Sequence, residues 1–111
     1  MTIRVLFVAD CPNAAAAVRL VRSVVSDLAP TVADGVAFDL VEVRDLKEAG
    51  EQGFLGSPSV QIDGVDIEAA RRGDPPAFAC RVYRDGARLS PTPPREMVAD
   101  AIRRAADRPR G

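Results

Sequence analysis

Hydrophobic and polar positions fall into a few distinct patterns along the chain. Ile3 to Ala9 (Ile-Arg-Val-Leu-Phe-Val-Ala) is almost continuously apolar and rich in β-branched residues, the pattern of a strand covered on both faces. After the break at Asp10-Cys11-Pro12-Asn13, the segment Ala14 to Leu28 repeats Val18, Val21, Val25 and Leu28 at spacings of three and four. Arg19, Arg22, Ser26 and Asp27 fall elsewhere, so the period predicts an amphipathic helix, stopped near Pro30. Thr31 to Gly35 is polar and small, and a second strand is predicted from Val36 to Val43. Asp45 then caps a short helix from Leu46 to about Gln52, which Gly53 closes. Ser59 to Asp63 alternates strictly between Gly56-Ser57-Pro58 and Gly64, and reads as a third strand.

Beyond Gly64 the pattern weakens. Val65 to Phe78 contains Gly73, Pro75 and Pro76 and shows no period, so it reads as a long connection, of a length that is uncommon without a role. Ala79 to Arg84 is expected to be a fourth strand and Asp85-Gly86 a turn. Thr92 with Pro93 opens a final helix through Met97, Val98, Ala101, Ile102 and Ala105. Two strands joined through a helix pair in parallel, while the last two, with no helix between them, pair antiparallel. The expected architecture is a single α/β domain over residues 1–107, ordered βαβαββα, with a four-stranded mixed sheet covered by helices. Residues 108–111 form a loose tail.

Composition narrows the chemistry. The 111 residues carry 15 Lys+Arg against 16 Asp+Glu, and the basic residues alternate with aspartates along the chain instead of gathering in a stripe. That distribution disfavours a nucleic-acid partner. No apolar stretch approaches the roughly 18 to 20 residues of a membrane span. Met1-Thr2-Ile3-Arg4 runs straight into a strand instead of a signal peptide, so the expected setting is cytoplasmic, with no membrane partner. Aromatic residues make up only 5% of the chain, which leaves Val, Leu, Ile and Ala to build the core. There is no histidine, and Cys11 and Cys80 are the only cysteines. Neither a four-ligand structural zinc site nor a histidine-based metal centre or triad can be assembled, and no metal or cofactor is expected. A cysteine-phosphatase loop is excluded as well, because the position six after Cys11 is Ala17 instead of arginine.

Chemistry therefore falls to thiols or carboxylates. Cys11 stands where a strand ends and a helix begins, a place where the helix dipole and unpaired backbone N–H groups favour thiolate over thiol. Farther on, Gly56-Ser57-Pro58-Ser59-Val60 sets a Ser-Pro peptide just before a strand. This pairing and the element order resemble the thioredoxin-like fold over nearly the whole chain. The resemblance implies that Pro58 is cis and lies beside a reactive Cys11, with Ser57 and Pro58 forming the substrate-binding surface. The wording Asp10-Cys11-Pro12-Asn13, Gly56-Ser57-Pro58 and Cys80-Arg81-Val82-Tyr83 also looks like a group of small bacterial thioredoxin-like proteins, some labelled alkylmercury-lyase-like. The chain departs from the dithiol members in one respect: the resolving cysteine of a C-x-x-C motif would stand at Ala14.

The leading expectation is thiol–disulfide exchange through the activated thiol of Cys11, with a protein or small-molecule thiol or disulfide as partner. The chain would then be an oxidoreductase lacking C-x-x-C. The role of Cys80 is open. In a fourth strand antiparallel to the third, Cys80 would start at the edge, across a strand of roughly 17 Å. That exceeds the roughly 4.4 to 6.8 Å between bridged Cα atoms and favours a buried structural cysteine. A connection as long as Val65 to Phe78 is nevertheless able to return Cys80 to Cys11 as a second catalytic thiol. Two rivals stand beside this reading: a binding or oligomerisation module in which Cys11 merely caps a helix, and soft-metal (mercury) handling by Cys11 with Cys80. Asp10 either repels the thiolate or accepts its proton. Arg81, Arg84 and Arg88 read as solvated charges.

Overall fold

The computed structural model describes residues 1–28 and 35–107; the expected helix stop near Pro30 and the tail from Arg108 lie outside the described residues. The elements are β1 (Thr2–Phe7), α1 (Ala14–Leu28), β2 (Ala37–Glu42), α2 (Leu46–Gln52), β3 (Leu55–Ser57), β4 (Ser59–Ile62), β5 (Val65–Asp66), β6 (Ala77–Cys80), β7 (Tyr83–Asp85), β8 (Arg88–Ser90) and α3 (Arg95–Asp107). A four-stranded mixed sheet has the order β2-β1-β4-β5. β1 pairs in parallel with β2, as a helical crossover requires, and antiparallel with β4, with Val5 opposite Val60 and Leu6 opposite Ser59. Among the described residues no helix is long and apolar enough to cross a membrane.

β1 is the central strand, and its alternation divides the core. Ile3 and Val5 join Val60 and Ile62 against α1 and α3, while Leu6 faces the opposite way onto Val43, Ala49 of α2 and Phe54. The buried stripe of α1 is Ala17, Val21, Val24 and Val25, with Val18 and Leu28 at its margins. The apolar arc therefore sits slightly off the one expected, and Val24 replaces Val18 at its centre. α2 has the caps expected of it. The Asp45 side chain accepts from the Glu48 amide at 2.8 Å, and Gly53, at φ 65°, closes the helix in the left-handed region.

Three expectations are revised. The fourth strand of the sheet is Val65–Asp66, paired antiparallel with β4, and not Ala79 to Arg84. Its turn, Asp63-Gly64, has φ of 51° and 83° and joins Ile62 to Val65 as a two-residue hairpin, but a two-residue strand carries no visible period. The long connection is thus partly ordered, with a 3-10 turn at Ala69–Arg71. The stretch expected as one strand from Ala79 to Arg84 divides into β6, which pairs in parallel with β3, and the β7–β8 hairpin. Finally, α3 starts at Arg95 instead of Pro93. Pro94 disfavours helical backbone at the residue before it, which delays the first turn.

Candidate functional site

The chain leaves β1 through a tight turn. The Cys11 amide donates to the Val8 carbonyl at 3.2 Å, and Asp10 holds φ at 61°, a left-handed value that aspartate tolerates better than most residues. α1 begins shortly after, where the Asn13 carbonyl accepts from the Ala17 amide at 3.1 Å. Cys11 is half-buried and lies two residues ahead of that helix cap.

Ser57 is where the two cysteine-bearing segments meet. Continuing the β1–β4 register outward from Leu6 and Ser59 brings Val8 to Ser57, and the Val8 amide donates to Ser57 Oγ at 3.1 Å. Ser57 is also the register partner of Cys80 in the β3–β6 pair, and its carbonyl accepts from the Arg81 amide at 2.9 Å. One fully buried serine is thereby bonded to the first residue of the Cys11 turn and to the residue that follows Cys80. The Ser57-Pro58 peptide bond is cis, and the Pro58 carbonyl accepts from the Tyr83 hydroxyl at 2.6 Å.

Cys80 is neither buried nor the first residue of a strand antiparallel to the third; it is exposed and ends β6. The reason is the direction of pairing. Because β6 runs parallel to β3, its C-terminal end arrives beside the C-terminal end of β3, next to Ser57. Both cysteines are free thiols.

Arg81 overturns the expectation of a solvated charge. Its side chain is fully buried and makes a two-pronged ion pair with Asp66, Nη1 to Oδ2 at 2.7 Å and Nη2 to Oδ1 at 2.9 Å. Nη1 also donates to Ser59 Oγ at 3.1 Å, Nη2 approaches Glu68 Oε1 at 3.3 Å, and the guanidinium lies 4.2 Å from the Tyr83 ring centre. Among the described residues, Nε alone of its nitrogens is without a partner. Burial works against the charged guanidinium, but the hydrogen bonds and charges of Asp66 and Glu68 outweigh it and hold Arg81 above its ordinary range. Burial likewise pushes the Tyr83 phenol up, and the positive charge of Arg81 opposes this only in part. The fit is close enough to exclude a side chain at Gly56, where φ is 112° and a Cβ would stand 2.9 Å from Arg81 Cβ.

Sequence reasoning missed this hub of Arg81, Asp66, Glu68, Ser59 and Tyr83. A faint signal existed, since Arg81 and Tyr83 are two residues apart and so are Asp66 and Glu68, the spacing that puts side chains on one side of an extended chain. Nothing local says that the two pairs meet.

Among the described residues, no group of three or more His, Cys, Asp or Glu side chains is placed to hold a metal ion. A soft cation would find two thiols in the chain, those of Cys11 and Cys80. No protein-family model matches the chain, and neither a curated protein nor a solved structure matches it.

Proposed function

We propose that the chain is a thioredoxin-like protein of thiol–disulfide exchange, in which Cys11 is the attacking thiol and Cys80 the second thiol of the cycle. The carrying observation is Ser57, bonded to the turn of Cys11 and paired in register with Cys80. The thioredoxin-like reading is supported by a parallel β1–β2 pair joined through α1, an antiparallel β4–β5 hairpin, α1 and α3 on one face of the sheet, and α2 on the other.

In the forward half-cycle, the Cys11 thiolate attacks one sulfur of a partner disulfide. A Cys11–partner mixed disulfide forms, and the other partner sulfur leaves as thiolate and takes up a proton. The Cys80 thiolate then attacks the Cys11 sulfur, forms a Cys11–Cys80 disulfide and expels the remaining partner sulfur as a thiol. An external thiol reductant restores both cysteines. Ala14 has no sulfur, so resolution within the Cys11 motif is excluded and the exposed Cys80 takes its place.

Trapping with a model disulfide such as oxidised glutathione tests this. Cys11→Ser should abolish mixed-disulfide formation at the site, and Cys80→Ser should accumulate the Cys11 mixed disulfide, seen by intact mass. Unchanged turnover in Cys80→Ser removes the resolving role. Exclusive labelling of Cys80 by a limiting alkylating reagent, with Cys11 untouched, removes the redox reading altogether. A binding module then takes its place, a reading favoured by the exposed Phe78, Val82 and Leu89 in the β6–β8 region around Cys80.

A further inference from the structure

We infer that the groove between α3 and the β4–β5 hairpin is a binding site for a small aliphatic carboxylate, independent of the thiols. A cavity of about 430 Å³ opens there, lined by Ile62, Val65, Ile67, Ala101, Arg72 and Arg104. Its size lies within the range of small-molecule sites, roughly 300 to 1,000 Å³. Ile62 and Ile67 are buried members of the main core, so the floor is apolar, and no acidic side chain lines it.

The charges at its rim are the unusual part. Several carboxylates of the neighbouring segments are already engaged: Asp66 and Glu68 by Arg81, Asp74 by Arg71, and Glu96 and Asp100 by Arg103. Arg72 donates from Nε to the Asp66 carbonyl at 2.7 Å, which anchors its guanidinium and leaves both Nη groups without a partner among the described residues. Arg104, on α3, has no ion-pair partner among the described residues. Two guanidinium groups without a carboxylate partner among the described residues therefore border one cavity with an apolar floor, in a chain whose net charge is −1. A guanidinium binds a carboxylate through paired N–H donors, and the cavity floor takes an aliphatic body out of water. Neither half of the site serves a fully polar anion or an uncharged hydrocarbon as well as it serves a molecule having both parts.

Calorimetric titration and thermal melts of the full chain with decanoate test the inference, with acetate and decan-1-ol as the head-only and tail-only controls. Decanoate should bind saturably with one-to-one stoichiometry and raise the melting temperature, as any ligand selective for the folded state does. Both controls should bind at least about tenfold more weakly. Arg72→Gln and Arg104→Gln, both at exposed positions, should each weaken decanoate about tenfold; Arg104→Gln should leave the ligand-free melting temperature unchanged, and Arg72→Gln, which also gives up its bond to the Asp66 carbonyl, should lower it slightly. Ala101→Phe should fill the cavity and abolish binding, and Cys11→Ser should bind as the parent does. Absence of saturable decanoate binding overturns the inference. So does equal affinity for decan-1-ol, or undiminished affinity in the Arg72→Gln/Arg104→Gln double variant, since the arginines would then serve only to cover apolar surface with their stems.

Discussion

Two of the buried regions of this molecule are held together by different physics. Between the sheet and α1 and α3 lies an aliphatic layer of Ile3, Val5, Val21, Val24, Val60, Ile62, Val98 and Ile102. Around Arg81 lies a polar hub in which the guanidinium meets two carboxylates and a serine hydroxyl and lies against the Tyr83 ring. The aliphatic layer depends on area and fit, so its stabilisation is spread over many side chains of similar kind. The hub depends on direction and charge. Removing one member strands its partners in a place that water does not reach. The layer packs the sheet against its helices, whereas the hub holds Ser59 and the neighbourhood of Gly56, beside the Ser57 that pairs with Cys80 and bonds to Val8 at the start of the Cys11 turn.

Four substitutions probe that contrast, in descending order of expected effect. Val21→Asp places an unpaired carboxylate in the fully buried stripe of α1. The lost burial alone is worth about 1.5 to 3 kcal/mol, and the buried charge adds more, against a total stability of about 5 to 15 kcal/mol for a domain. Far-UV circular dichroism should show an unfolded or nearly unfolded chain; an unchanged melting temperature would mean that the face assignment is wrong. Arg81→Ala should destabilise by about 3 to 5 kcal/mol in urea unfolding, because it leaves Asp66 and Glu68 buried without their cation. A loss below about 1 kcal/mol would place Arg81 among ordinary surface ion pairs.

Gly56→Ala should destabilise by about 2 kcal/mol, combining a left-handed backbone with the 2.9 Å approach to Arg81 Cβ. It should also alter the alkylation rate of Cys80, whose strand neighbour it displaces, whereas a comparable loss within the aliphatic layer should leave that rate unchanged. Tyr83→Phe is the mildest, at about 1.5 kcal/mol, for one hydrogen bond to the Pro58 carbonyl. It carries a pH signature. The folded phenol is held above the ordinary tyrosine value of 10.0, so above that pH the unfolded chain gives up a proton that the folded chain keeps. The unfolded state then binds fewer protons, and the Tyr83 contribution to stability is lost as pH rises beyond about 10. Tyr83→Phe should remove that component of the alkaline slope. Tyr83 is the only tyrosine, so its phenolate absorbance reports the titration without interference, and ionisation at the ordinary tyrosine pH would contradict its burial.

What was legible follows the same division. The helical period of α1 and the Asp45 and Gly53 caps of α2 are local features, each encoded within a few residues whose spacing matches a helix. Cys11 at the strand–helix junction and Ser57-Pro58 at the head of a strand were legible for the same reason. The β5 strand was not, since two residues show no period, and the opening of α3 was misplaced by the effect of Pro94 on the residue before it.

By itself, then, the sequence determined an aliphatic α/β core, its helix boundaries to within a few residues, and two cysteines as the sulfur chemistry on offer. Tertiary structure alone decided that β6 runs parallel to β3, that Cys80 therefore emerges exposed beside Ser57, and that Arg81 turns inward. Periodicity reports the faces of one element, but strand direction is chosen by how a connection closes and by the partners it meets. A buried arginine is tolerable only if carboxylates arrive to meet it, and Asp66 and Glu68 come from 15 and 13 residues away. That coincidence is a property of the folded chain, and no window of sequence around Arg81 contains it.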